Sequence, residues 1–72
     1  MSIWSQGYKT FIAKFKKARL EAGLRQEDVA KRLGRPQAYV SRCESGEKKI
    51  DTMELKEFAK LYKKPTSYFL RK

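Results

Sequence analysis

The stretch Gln26-Glu-Asp-Val-Ala-Lys-Arg-Leu-Gly34-Arg-Pro-Gln-Ala-Tyr-Val40-Ser-Arg-Cys-Glu44-Ser-Gly46 decides how the chain is read. Two short runs with helical periodicity flank a tight turn that contains a glycine. In the first run, about 26–33, Val29, Ala30 and Leu33 form the apolar face. Glu27 and Asp28 sit in its first turn, beside the positive end of the helix dipole, and Gly34 follows as a C-cap. In the second, about 37–45, Pro36 sets the start and Gly46 closes the end. Val40, Cys43 and Glu44 face inward there, while Gln37, Ala38, Ser41 and Arg42 project elsewhere. Ala30 is small enough to let the two helices approach, and Val40 packs back into the angle between them. These are the physical ingredients of a helix-turn-helix, whose second helix fits the major groove of duplex DNA.

The flanking sequence supplies a support for that pair. Tyr8, Phe11, Phe15, Ala18 and Ala22 step by three or four and predict one apolar stripe on a first helix, about 8–22. Lys9, Lys14, Lys16 and Lys17 lie off the stripe, as a solvated face. Downstream, Asp51 and Glu54 read as a capping box that opens a fourth helix, about 52–62. Leu55, Phe58, Ala59 and Tyr62 follow the helical spacing, and Met53 is expected to join their core. A last turn, about 65–70, begins with Pro65. No segment alternates as a strand would. The expected fold is all-α, a compact five-helix globule, with an N-terminal arm at 1–7 and one domain at 8–72.

Composition narrows the function. The 72 residues hold 18 Lys and Arg against 8 Asp and Glu, a net charge of +10. Such an excess fits an anionic partner, nucleic acid foremost. Histidine is absent, which removes the commonest general base and metal ligand. Cys43 is the single cysteine, so no disulfide within the chain and no cysteine-based zinc site is expected; it reads as a small core residue. With no phosphate-cradling glycine loop either, nothing points to an enzyme, a metal or a cofactor. No apolar run is long enough for a membrane span, and no secretory signal is visible, so a cytoplasmic, nucleoid-associated protein is expected.

Arg19, Gly23-Leu24, Gln26, Ala30, Gly34, Val40-Ser41-Arg42, Glu44 and Gly46, taken with their spacing, resemble the Cro/C1-type (XRE-type) helix-turn-helix DNA-binding domains of phage repressors and small bacterial regulators. The likeness runs from about Phe11 to Leu70. It implies a lambda-repressor-like domain in which Gln37, Ala38 and Arg42 read bases and Gln26 touches a phosphate. It also implies a structural ion pair between Arg19 and Glu44. Two positions depart from the family pattern. Pro36 replaces the usual Ser or Thr N-cap, and Arg25 stands where Ser or Thr is common, exchanging a cap for a phosphate contact.

The chemistry of the side chains agrees with these roles. An amide such as Gln37 suits an adenine edge, a guanidinium such as Arg42 suits guanine, and Ala38 suits a thymine methyl. Ser41 joins the base-contacting set. Arg25, Gln26, Arg35, Tyr39, Ser45, Lys48 and Lys49 form the expected phosphate-contacting set, although Tyr39 also fits a gap beside the core. The expected partners are double-stranded DNA with a palindromic operator, a second copy of the chain in a homodimer, and a separate regulatory protein. No small-molecule effector and no membrane is expected. Tyr68, Phe69 and Leu70 carry more apolar surface than a terminal turn can hide and are divided between core and dimer contact; Trp4 and Ile3 fit either the core or a second subunit. Repression by promoter occlusion is the simplest mechanism. Beside it stand an antitoxin that represses its own operon, an RNA or protein interaction module, and a membrane-surface role for the basic first helix.

Overall fold

The computed structural model describes residues 6–70 and forms five helices: α1 (Gln6–Glu21), α2 (Gln26–Leu33), α3 (Gln37–Ser45), α4 (Thr52–Tyr62) and α5 (Thr66–Leu70). No strand occurs among the described residues. The bounds of α2, α3 and α4 are those expected from the sequence. Helix α1 begins two residues earlier than expected, so Gln6 and Gly7 are helical rather than part of an arm. The remainder of the arm, with Ile3 and Trp4, lies outside the described residues.

Three helices end in the same way. At the end of α2, Gly34 takes a left-handed conformation (φ 66°). There the Gly34 N–H donates to the Lys31 carbonyl at 3.2 Å and the Arg35 N–H to that of Ala30 at 2.9 Å. The same pair of bonds closes α1, through Gly23 and Leu24, and α4, through Lys63 and Lys64. This arrangement satisfies carbonyls that the helix leaves open, and it asks for a residue without a Cβ. At α4 the position is held instead by Lys63, at φ 58° despite its Cβ. The start of α4 is capped as the sequence predicts: Asp51 accepts from the Glu54 N–H at 2.8 Å, and Glu54 accepts from the Asp51 N–H at 3.0 Å.

Phe15, Phe58 and Phe69 are fully sealed and bring α1, α4 and α5 together. Phe15 meets Phe58 edge to face (4.8 Å between centroids, 84°) and lies 4.9 Å from Phe69. Aromatic pairs favour such offset arrangements. Helices α2 and α3 pack chiefly on each other, and α3 also rests on α1. Val29 and Ala30 of α2 and Val40 and Cys43 of α3 are buried in the same core. Burial pushes the Cys43 thiol up to about 11.

Two core assignments need correction. Met53 is 69% exposed. The core-facing residues of α4 are Glu54, Leu55, Phe58, Ala59 and Tyr62. At about 100° per residue, Met53 falls on the far side of the helix from their centre, in line with exposed Glu57 and Lys60. Ala22 is also exposed. It continues the α1 stripe on paper, but the helix ends at Glu21 and the chain has turned away by Ala22. At the C-terminal end Phe69 is buried, Tyr68 half-buried and Leu70 exposed, and Pro65 precedes α5 rather than beginning it.

Candidate nucleic-acid interface

Helix α3 divides its side chains cleanly. Tyr39, Val40 and Cys43 are buried, whereas Gln37, Ala38, Ser41, Arg42 and Ser45 are all exposed. At about 100° per residue the five exposed positions span an arc of roughly 140°. This arc holds the whole expected base-contacting set, with an amide, a methyl, a hydroxyl and a guanidinium side by side. Arg42 has one acidic neighbour, Glu47, at 3.8 Å, with both side chains mostly in solvent. An exposed pair of this kind is worth about 0–1 kcal/mol, so it restrains Arg42 weakly. Ser45 donates its hydroxyl to the Arg42 carbonyl at 3.2 Å.

The inward side of α3 is held by two buried carboxylates. The first is Glu44 at its C-terminal end. Arg19 of α1 donates to it twice, from Nε at 2.6 Å and from Nη2 at 3.1 Å. Both side chains are under a tenth exposed. Arg19 also donates to the Leu24 carbonyl at 2.9 Å, and Gln26 of α2 donates its amide to Glu44 at 3.1 Å. One carboxylate therefore ties α1, α2 and α3 together through charge-assisted bonds.

The second is Glu54 of α4. Tyr39 donates its hydroxyl to Glu54 at 2.5 Å, and Lys48 approaches both of its oxygens, at 2.8 and 2.9 Å. Burial alone would raise the Glu54 carboxyl. The Asp51 N–H, Lys48 and Tyr39 outweigh that effect and hold it down at about 2. The Tyr39 hydroxyl is in turn raised, by burial and then by its bond to Glu54.

These contacts redistribute the expected phosphate-contacting set. Tyr39 is a correction: its ring is buried against Phe58 (6.1 Å, 8°) and its hydroxyl is spent on Glu54, because the pocket beside α4 offers it an ionised acceptor. The Gln26 side chain donates to Glu44, and its backbone N–H, at the first position of α2, has no acceptor within the helix. Arg25 is exposed and lies 3.1 Å from Glu27 and 3.3 Å from Asp28. Asp28 also accepts from the Arg25 N–H at 2.8 Å, so an acidic side chain one turn in caps α2 from the opposite direction. Asp28 is lowered by these bonds. Arg35 and Lys49 are exposed, and Lys48 is partly so. Sequence reasoning missed the joint role of Tyr39, Lys48 and Glu54, since Glu54 had already been explained as a cap and nothing in the spacing pairs it with Tyr39.

No helix of the described residues is long and apolar enough to cross a membrane. Among them no group of His, Cys, Asp and Glu is placed to hold a metal ion. A helix-turn-helix family model matches residues 15–69. No curated protein and no solved structure matched the chain.

Proposed function

Because the chain belongs to the Cro/C1-type (XRE-type) helix-turn-helix family, a family of DNA-binding regulatory domains, we propose that it is a sequence-specific repressor that reads the major groove with α3. The observation that supports this most directly is the uncovered arc of Gln37, Ala38, Ser41 and Arg42 on a helix whose opposite side is anchored by Glu44 and Glu54. A rigid helix with a polar outer face presents donors and acceptors to base edges at little ordering cost. Arg25, Arg35, Lys48 and Lys49 neutralise phosphates beside that face, with the Ser45 hydroxyl and the Gln26 N–H as further hydrogen-bond donors. The protein acts as a homodimer on a palindromic operator, its two copies of α3 about one DNA turn apart. Exposed Leu70 belongs to the dimer contact. Bound at a promoter, the dimer occludes it in the cytoplasm.

Selection of bound duplexes from a random pool tests the reading. A palindrome with half-sites spaced by about one turn is expected. Arg42→Ala should relax preference at one base position, at a cost of roughly 1–3 kcal/mol there. Lys49→Ala should weaken all sequences alike and reduce the salt dependence by about one phosphate. Equal losses across all sites for both variants would remove Arg42 from the base-reading set.

A further inference from the structure

The Tyr39 ring carries two cations that belong to different loops. The Arg35 guanidinium, from the turn before α3, lies 4.7 Å from the ring centroid. The Lys48 ammonium, from the loop after α3, lies 5.5 Å from the same centroid. Lys48 is fixed further by Glu54 and by the Lys49 carbonyl at 3.2 Å. The ring itself cannot swing, being stacked on Phe58 and tethered through its hydroxyl. Two flexible side chains from the two ends of the exposed helix thus share one rigid aromatic platform.

We infer that Tyr39 is a positioning residue for DNA binding: it contacts no phosphate, and its fixed ring presets Arg35 and Lys48 as a pair of phosphate-binding cations bracketing α3. The inference rests on the DNA-binding reading above and deepens it. A long cationic side chain ordinarily loses rotamer freedom when it meets a phosphate, and that loss weakens binding. A cation already resting on an aromatic face has lost part of that freedom before DNA arrives. Guanidinium suits this place because it stacks on a ring face while its N–H edge remains available to a phosphate. Lys48 is restrained more strongly than Arg35, since the Glu54 carboxylate competes with any phosphate for it. Arg35 is therefore the cation that depends most on the ring.

A double-mutant cycle on the full chain tests this, read as affinity for a short mixed-sequence DNA duplex over a range of salt. Arg35→Ala should weaken binding roughly five- to tenfold in the parent. In a Tyr39→Leu background the same change should cost less than about twofold, because the arginine is no longer preset. Tyr39→Phe keeps the ring, so the full effect of Arg35→Ala should persist there; if Tyr39→Leu fails to fold, the ring-current shift on Arg35 decides the matter. In the unbound parent the Arg35 side-chain NMR resonances should show a ring-current shift. Additive losses in the Tyr39→Leu cycle, or unshifted Arg35 resonances, would overturn the positioning role while leaving DNA binding intact. Absence of any duplex binding by the parent at low salt would overturn the DNA-binding reading and the clamp with it.

Discussion

Glu44 and Glu54 are both buried carboxylates that hold α3, yet they work in different ways. Glu44 belongs to α3 and meets a full opposite charge in a closed, bidentate pair with Arg19. Glu54 belongs to α4 and is held by a mixed set of a phenol, a half-exposed ammonium and a backbone N–H. The first rests on one dominant charge pair, with the uncharged Gln26 amide as a further donor. In the second, several weaker donors share the charge, and one of them faces solvent. The domain should therefore tolerate the loss of any one donor to Glu54 much better than the loss of either member of the Arg19–Glu44 pair.

The sharpest way to break this contrast is Glu44→Ala. It leaves the Arg19 guanidinium buried without its counter-charge and should cost about 3–5 kcal/mol in a urea melt, most of the stability of a domain this small. Replacing both partners together, with Arg19→Met and Glu44→Leu, should recover much of that loss. A single substitution costing under about 1 kcal/mol would show that the joint is not structural.

Acid should separate the two carboxylates next. The Glu54 carboxyl is depressed from 4.5 to about 2. A depressed carboxylate stabilises the folded state above its unfolded value, and that contribution disappears as pH falls through the folded value. Glu54 should thus contribute roughly 3 kcal/mol at neutral pH, lost between about pH 4.5 and pH 2. Comparing Glu54→Gln with the parent across that window checks it: the stability gap should narrow as pH drops. A gap independent of pH would mean that Glu54 acts through its shape and not its charge.

Tyr39→Phe removes one donor from Glu54 and should cost about 1 kcal/mol, far less than Glu44→Ala, because Lys48 and the Asp51 N–H remain. A loss as large as that from Glu44→Ala would erase the distinction between single and shared support. The smallest expected change is a gain. Lys63→Gly relieves a left-handed lysine at the end of α4 and should stabilise the domain by about 1 kcal/mol. Lys63 touches neither carboxylate network, so its effect should add to each of the others in thermal melts and calibrate them.

The same contrast separates what was legible in the sequence from what was not. Helix α3 could be placed closely because Pro36 fixes φ at its start and Gly46 admits the left-handed turn at its end, whatever surrounds them. The Arg19–Glu44 partnership came with the family likeness, and its geometry is 2.6 Å and bidentate. Glu54 was legible only in its local role, since a capping box is a matter of three-residue spacing. Its bond to Tyr39 spans 15 residues and depends on how α3 and α4 are packed, which spacing does not encode. Met53 had a readable signal: one and two turns on stand Glu57 and Lys60, both charged, which mark its side of α4 as outward. Tyr39 had no such signal, for a tyrosine beside a recognition surface satisfies either a buried acceptor or a phosphate.

Cys43 has a practical consequence. Its thiol is sealed in the core, and burial keeps it protonated at neutral pH. A thiol-modifying reagent can reach that sulfur only while the domain is momentarily open, so the labelling rate counts openings. The native chain thus carries a built-in, single-site clock for how often its core opens, readable by mass spectrometry without attaching any probe.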